Sequence, residues 1–192
     1  MIDLIPPEKP VFRIITREEW AGKECPPLKD YIKHRPDGIV IHETTSPTAK
    51  QFQGIRTMQG IYRYHAVNPN TWGDIGYHFI ISPSGHEIYE CRPADVIGAH
   101  CGGDLPAGVK RNFGNTGKIG ICLAGNYSTE TPDPQALKTL CWLIADQCEK
   151  YDIKLDQIFG HCQAWSRAPK VCPGKNLFAA LFGIEKWKKI KF

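Results

Sequence analysis

No stretch of this 192-residue chain approaches the roughly 20 consecutive apolar residues that a membrane-spanning helix needs, so stable insertion into a bilayer is not expected. The start, Met1 to Pro10, has no basic segment followed by an apolar run, and no secretory signal is expected there. The expectation is a protein made in the cytoplasm that stays or leaves without a leader, unless a leader has been removed. No internal repeat or linker breaks the chain, and no motif points to nucleic acid. No pair of carboxylates with glycosidase character stands out, and the histidines and cysteines fit no local zinc-finger spacing. The charge has no strong bias. Of a formal +4, part comes from the final Lys186 to Phe192, whose simplest reading is a solvated helix end.

What is present suits one well-filled core. A hydrophobic content of 42% over this length fills one core and is short for two. Residues 1–12 read as a proline-rich extension and 13–192 as the domain. Thr16 is placed to cap a short helical turn with Glu19 as its reciprocal partner. A strand is predicted at 39–42. From Thr48 to Ala66 the positions Phe52, Ile55, Met58, Ile61, Tyr62 and His65 recur at threes and fours, which predicts an amphipathic helix. Tyr77–Ser82 and His86–Arg92, joined by Pro83-Ser84-Gly85, predict a β-hairpin. A glycine-rich segment from Gly98 to Gly117 has little periodicity, the mark of a functional loop. Ile119–Gly125 reads as a buried strand. Pro134–Tyr151 reads as a helix with Leu137, Leu140, Cys141, Ile144 and Cys148 on one face. A strand ending at His161 and a helix from Asn176 to Phe182 complete the series. Interleaved strands and helices define an α/β class, with a central mixed sheet flanked by helices.

Eight cysteines, at 25, 91, 101, 122, 141, 148, 162 and 172, could form four bridges in a secreted protein, but a chain of this size does not depend on staples and no leader is visible, so reduced thiols are expected. Cys122, inside Ile119-Gly120-Ile121-Cys122-Leu123, reads as a small buried hydrophobe.

Chemistry is suggested by three separated stretches. Ile39-Val40-Ile41-His42 and Ile158-Phe159-Gly160-His161 are apolar runs that each close on a histidine, and Cys172 follows eleven residues after the second. Two imidazoles and one thiolate would leave the fourth position of a tetrahedral zinc open for water, as in a catalytic site.

The residues Arg13 to Trp20, Ile41-His42-Glu43-Thr44-Thr45, Gly76-Tyr77-His78-Phe79-Ile80-Ile81, Ile119 to Tyr127, Gly160-His161 and Pro169-Lys170-Val171-Cys172-Pro173-Gly174 occur in one order. In that order the chain resembles the zinc-dependent N-acetylmuramoyl-L-alanine amidases, a family that includes phage lysozyme-type amidases, wall-recycling amidases and peptidoglycan recognition proteins. The resemblance runs from about residue 13 to 180. It implies an amidase-like fold, a zinc ion held by His42, His161 and Cys172, and catalytic roles for Tyr77 and Lys170. Tyr77 would orient or deprotonate the water, or donate to the developing oxyanion, and Lys170 would set a positive charge against that oxyanion. His100, Asn115 and Trp72 would contact substrate. His78, next to Tyr77 on a strand, must face the other way and is expected to be packed.

The implied function is a monomeric peptidoglycan hydrolase that cuts between N-acetylmuramic acid and the L-alanine of the stem peptide. It would act on the bacterial wall after release, or on soluble anhydromuropeptides if it recycles wall in the cytoplasm. A non-hydrolytic peptidoglycan-binding module and a metal-free thiol hydrolase with Cys172 as nucleophile are the alternatives. Two departures from the family pattern stand out. Gly117-Lys118 replaces a serine common before the Ile-Gly-Ile strand. A close cysteine pair after the first ligand, found in animal recognition proteins, is absent, which argues against an animal immune protein.

Overall fold

The computed structural model describes residues 9–101, 114–164 and 171–183. Six strands form one mixed sheet: β1 (Arg13–Ile15), β2 (Gly38–Glu43), β3 (Phe79–Ile81), β4 (Glu87–Glu90), β5 (Lys118–Leu123) and β6 (Ile158–Gly160), in the order β1-β4-β3-β5-β2-β6. All neighbours run parallel except β3 and β4, the predicted hairpin. The α/β class with a mixed sheet and flanking helices is therefore the observed one.

Side-chain alternation separates two faces of the sheet. Ile39, Ile41, Ile119, Ile121 and Leu123 enter one apolar cluster with Leu140, Leu143 and Ile144 of α3 (Pro134–Tyr151) and Leu177 and Leu181 of α4 (Lys175–Phe182). The opposite face carries Ile80, Cys122 and Ala124 against Trp20 of α1 (Arg17–Ala21) and Met58 and Tyr62 of α2 (Ile55–Tyr62). On β5 the first face is bulky and the second small, because Ile119, Ile121 and Leu123 alternate with Gly120 and Cys122, and Ala124 follows just past its end. The thin side leaves room for rings. His42, paired in register with Cys122, lies over it.

Local rules account for most element ends. Thr16 and Glu19 form the reciprocal cap at the start of α1. Asp133 caps α3, Pro134 occupies its first turn, and Asp152 ends it in the left-handed conformation. Two expectations change. The helix predicted over Thr48–Ala66 is broken: a short 3₁₀ turn at Ala49–Gln51 precedes Gly54, whose φ of +57° no helix accommodates, and α2 begins only at Ile55 before running into a π-helical turn at Arg63–Val67. The buried face of α3 is also rotated, to Ala136, Thr139, Leu140, Leu143, Ile144 and Gln147, with Leu137, Cys141 and Cys148 only half-buried. The cause is a close approach at the hairpin turn. A Cβ on Gly85 would stand 2.4 Å from the Ala136 Cα, and the Thr139 hydroxyl donates to the Gly85 carbonyl at 2.7 Å. A small residue and a satisfied hydroxyl therefore occupy the stripe that faces the sheet.

All eight cysteines are free thiols. Lys170 and most of the predicted loop between Gly98 and Gly117, together with residues 1–8 and the basic end, lie outside the described residues.

Candidate metal centre and adjoining groove

His42 lies near the carboxyl end of β2, and His161 follows the last residue of the neighbouring β6. Parallel pairing sets both histidines at the same edge of the sheet, with ring centroids 4.5 Å apart. Cys172 arrives on the loop before α4. Its sulfur stands 3.7 Å from His42 Nδ1 and accepts the backbone N–H of Glu43 at 3.2 Å. One ligand atom from each of His42, His161 and Cys172 falls within 4.8 Å of the others. Burial, and then the neighbouring histidines, hold the His42 pKa well below its ordinary value, so its ring is neutral and keeps a lone pair. Burial raises the Cys172 thiol well above its usual range. A cysteine with a backbone N–H aimed at its sulfur, beside two imidazoles of which that of His42 is neutral, is a donor set that suits a cation able to compensate a thiolate, and it fits zinc.

The loops that carry these residues are tied together. Cys162 N–H donates to the Cys172 carbonyl at 2.7 Å, which couples the His161 turn to the Cys172 loop. The buried Glu43 carboxylate accepts the N–H of Tyr127. Gly174, at φ +82°, packs so closely that a Cβ would lie 2.3 Å from the Tyr127 carbonyl carbon.

Tyr77 joins this cluster. Its ring lies 5.1 Å from that of His42, and it also forms part of the wall of a groove of about 390 Å³ with Thr44, Arg56, Thr57, Tyr64 and His65. Burial, then the nearby Cys122 and Cys172 thiols, push its pKa well above the ordinary phenol value. The Tyr77 hydroxyl meets the Cys122 thiol, so Cys122 is a buried hydrophobe that also borders the site.

The expected substrate contacts His100, Asn115 and Trp72 are not among the residues that line this groove. His100 is buried behind His42, with its Nδ1 3.0 Å from His42 Nε2. Asn115 turns its Oδ1 to the N–H groups of His100 and Cys101, at 2.8 and 2.7 Å, and so pins a loop. Trp72 packs its ring at a tilt against that of His65, with centroids 4.7 Å apart, and lines a separate hollow of about 220 Å³ with Tyr31, Asp74 and Arg92. His78 is packed as expected, between the Val96 carbonyl and the Gly120 N–H.

Several residues had no place in the sequence argument. Glu43 gave a signal as the acid directly after His42. The groove wall was readable as the polar side of α2 and the turn that follows it, where Arg56, Thr57, Gly60 and Tyr64 recur at threes and fours while Met58 and Tyr62 face the core. Cys101 adds a second possible donor group with His42 and His100, whose ligand atoms also lie within 4.8 Å of one another.

A mixed sheet that gathers two imidazoles and a thiol beside an open groove has the form of a hydrolase or ligand-recognition site. Residues 32–175 match the family described as N-acetylmuramoyl-L-alanine amidase, and the chain belongs to that family. It is 28% identical over 176 residues to peptidoglycan-recognition protein SC2 of Drosophila melanogaster, covering 91% of this chain and 88% of that protein. The solved structure of wild-type Drosophila PGRP-LB is similar with a TM-score of 0.71 at 29% identity, covering 89% of this chain and 93% of the other. A tyrosine-to-phenylalanine mutant of Drosophila PGRP-LB in complex with tracheal cytotoxin is similar with a TM-score of 0.70 at 27% identity, covering 96% of this chain and 100% of the other.

Proposed function

We propose that this protein is a zinc-dependent N-acetylmuramoyl-L-alanine amidase that hydrolyses the amide between the lactyl group of N-acetylmuramic acid and L-alanine. The observation that carries this reading is the juxtaposition of the His42, His161 and Cys172 donor atoms, within 4.8 Å of one another, with Tyr77 in the groove wall. When bound, zinc lowers the pKa of its water to about 7 and polarises the scissile carbonyl. The protein's own groups do the rest. His42 offers a neutral ring and His161 a second imidazole from the same end of the sheet, and the Glu43 N–H stabilises charge on the Cys172 sulfur. Tyr77, protonated at neutral pH, is placed to donate to the carbonyl oxygen as charge develops or to the departing amine. Lys170, two residues before Cys172, would add positive charge there by the family resemblance.

The substrate is a peptidoglycan stem peptide laid in the groove beside α2. Support comes from solved relatives with muropeptide bound, including PGRP-LE in complex with tracheal cytotoxin, a monomeric diaminopimelic acid-type peptidoglycan, at 26% identity and a TM-score of 0.70. The protein acts as a monomer, on wall after release or on soluble muropeptides in the cytoplasm.

Digestion of purified sacculi and of soluble muropeptides, with new amines and new reducing ends labelled separately, tests the reading. Free L-alanine amino termini with intact glycan are expected, and chelation should abolish them. Reducing ends without amines reject an amidase. Binding without turnover by zinc-loaded protein makes the chain a recognition module. Turnover that persists after complete metal removal assigns the reaction to the Cys172 thiol.

A further inference from the structure

We propose that His100 is a positioning residue for His42: it fixes which nitrogen of His42 carries the proton and so turns the Nδ1 lone pair of His42 toward Cys172. The inference rests on the metal assignment above. It starts from an atom that cannot change role. The Lys118 carbonyl oxygen, 3.3 Å from His100 Nε2, can only accept, so Nε2 carries hydrogen and the neutral ring presents Nδ1 as acceptor. That Nδ1 lies 3.0 Å from His42 Nε2, which must then be the protonated nitrogen of His42. The nitrogen left with a lone pair is His42 Nδ1, the atom 3.7 Å from the Cys172 sulfur. A backbone carbonyl of β5 thus sets the tautomers of two rings in series. A partner on the second nitrogen is what orients a metal-binding imidazole and makes it more basic.

The surroundings of His100 hold it for this task. Asn115 Oδ1 takes its backbone N–H. Gly120 and Gly98 leave its ring a slot, since a Cβ on either would stand 2.6 Å from a carbon of that ring. The glycine of the Ile-Gly-Ile strand is therefore required by a ring behind the site. Cys101 approaches the same Nδ1, at 3.1 Å, and the group of His42, His100 and Cys101 offers the competing arrangement, in which a metal would take His42 through Nε2. That group is buried throughout, whereas His161 and Cys172 keep partial exposure, and Tyr77, whose ring meets that of His42, lines the groove where substrate can arrive.

Long-range ¹H–¹⁵N correlation spectra of the metal-free wild type should show both His42 and His100 as Nε2–H tautomers; an Nδ1–H His42 overturns the proposal without reference to zinc. Zinc affinity, measured by chelator competition, should fall about ten- to hundredfold in His100→Ala and stay within about threefold in His100→Gln, whose amide oxygen can accept the same proton. Gly120→Ala, which keeps every donor but displaces the His100 ring, should weaken zinc in the same direction, and this variant with the wild-type spectra decides the matter if His100→Ala does not fold. Unchanged affinity in folded His100→Ala, while Cys172→Ala abolishes binding, removes the positioning role and leaves the metal assignment standing. Loss of zinc in Cys101→Ala with retention in Cys172→Ala puts the ion in the rear group and overturns both. A wild type that binds no zinc rejects the metal assignment, and its spectra still decide the tautomers.

Discussion

The backbone N–H of Glu43 donates to the sulfur of Cys172 at 3.2 Å, across 129 residues of sequence. Strand β2 therefore contributes twice, with the ring of His42 from one residue and a hydrogen bond to the thiol from the next. The bond stabilises a thiolate and holds it at the distance from His42 that a shared ion requires.

One zinc per chain is expected by elemental analysis of metal-replete protein. Cys172→Ala and His161→Ala should each fall well below one equivalent. Because the metal binds the folded state, free zinc at a hundred times its Kd should stabilise the protein by about 2.7 kcal/mol, read as a rise in Tm that chelator reverses. Full zinc occupancy in Cys172→Ala rejects the assignment.

Tyr77→Phe should retain zinc and fold but lose roughly a hundredfold in kcat on muropeptide, the usual scale for a missing proton or oxyanion donor. Lys170→Ala should lose a similar factor. A change confined to KM would make either residue a substrate contact.

The parts of the site legible in the sequence were those delivered by regular structure. His42 and His161 each close an apolar strand, and α3 begins and ends where its caps place it. Cys172, in a Pro-Gly loop with no periodicity, was reached as the thiolate that completes a His-His-Cys donor set and through the family resemblance. Less was readable where packing in three dimensions decides. Period alone put Leu137 and Cys141 on the buried stripe of α3, but the approach of Gly85 to Ala136 turned the helix. His100 and Asn115 sit in a glycine-rich segment with no periodicity. Nothing in that segment told a substrate contact from a ring packed over Gly120, because the space above Gly120 exists only once β5 lies beside β2.

Gly174 offers a separate test of how the Cys172 loop is held. Alanine there meets both a φ of +82° and a backbone carbon 2.3 Å from the new Cβ. Strain in that region costs of order 1–3 kcal/mol before any clash is counted. Gly174→Ala should therefore lower stability by at least about 2 kcal/mol in urea denaturation and weaken zinc, although it removes no ligand. A variant with wild-type stability and affinity shows that the loop can move without consequence.

Acid should unfold the metal-free protein through its buried histidines. His78 donates from Nε2 to the Val96 carbonyl at 2.9 Å and accepts the Gly120 N–H at Nδ1 at 2.8 Å, so a second proton would face an N–H group. Burial pulls its pKa down to about 4 from an ordinary 6.5. His65, buried and accepting the Gly76 N–H, is likewise held at about 4 by burial, with Arg92 adding repulsion. The unfolded chain takes up protons near pH 6.5, whereas the folded one resists them until about pH 4. Stability is therefore complete above pH 6.5 and falls as pH drops through the window from 6.5 to 4. At 1.36 kcal/mol for each pH unit, each ring should cost about 2 kcal/mol by pH 5, and other buried histidines add with the same sign. Urea denaturation at pH 7 and pH 5 measures the loss, and histidine ¹³C shifts in the folded protein show whether His78 stays neutral at the lower pH. A flat profile, or a His78 that titrates near 6.5 while the fold persists, contradicts the assignment of a neutral buried ring.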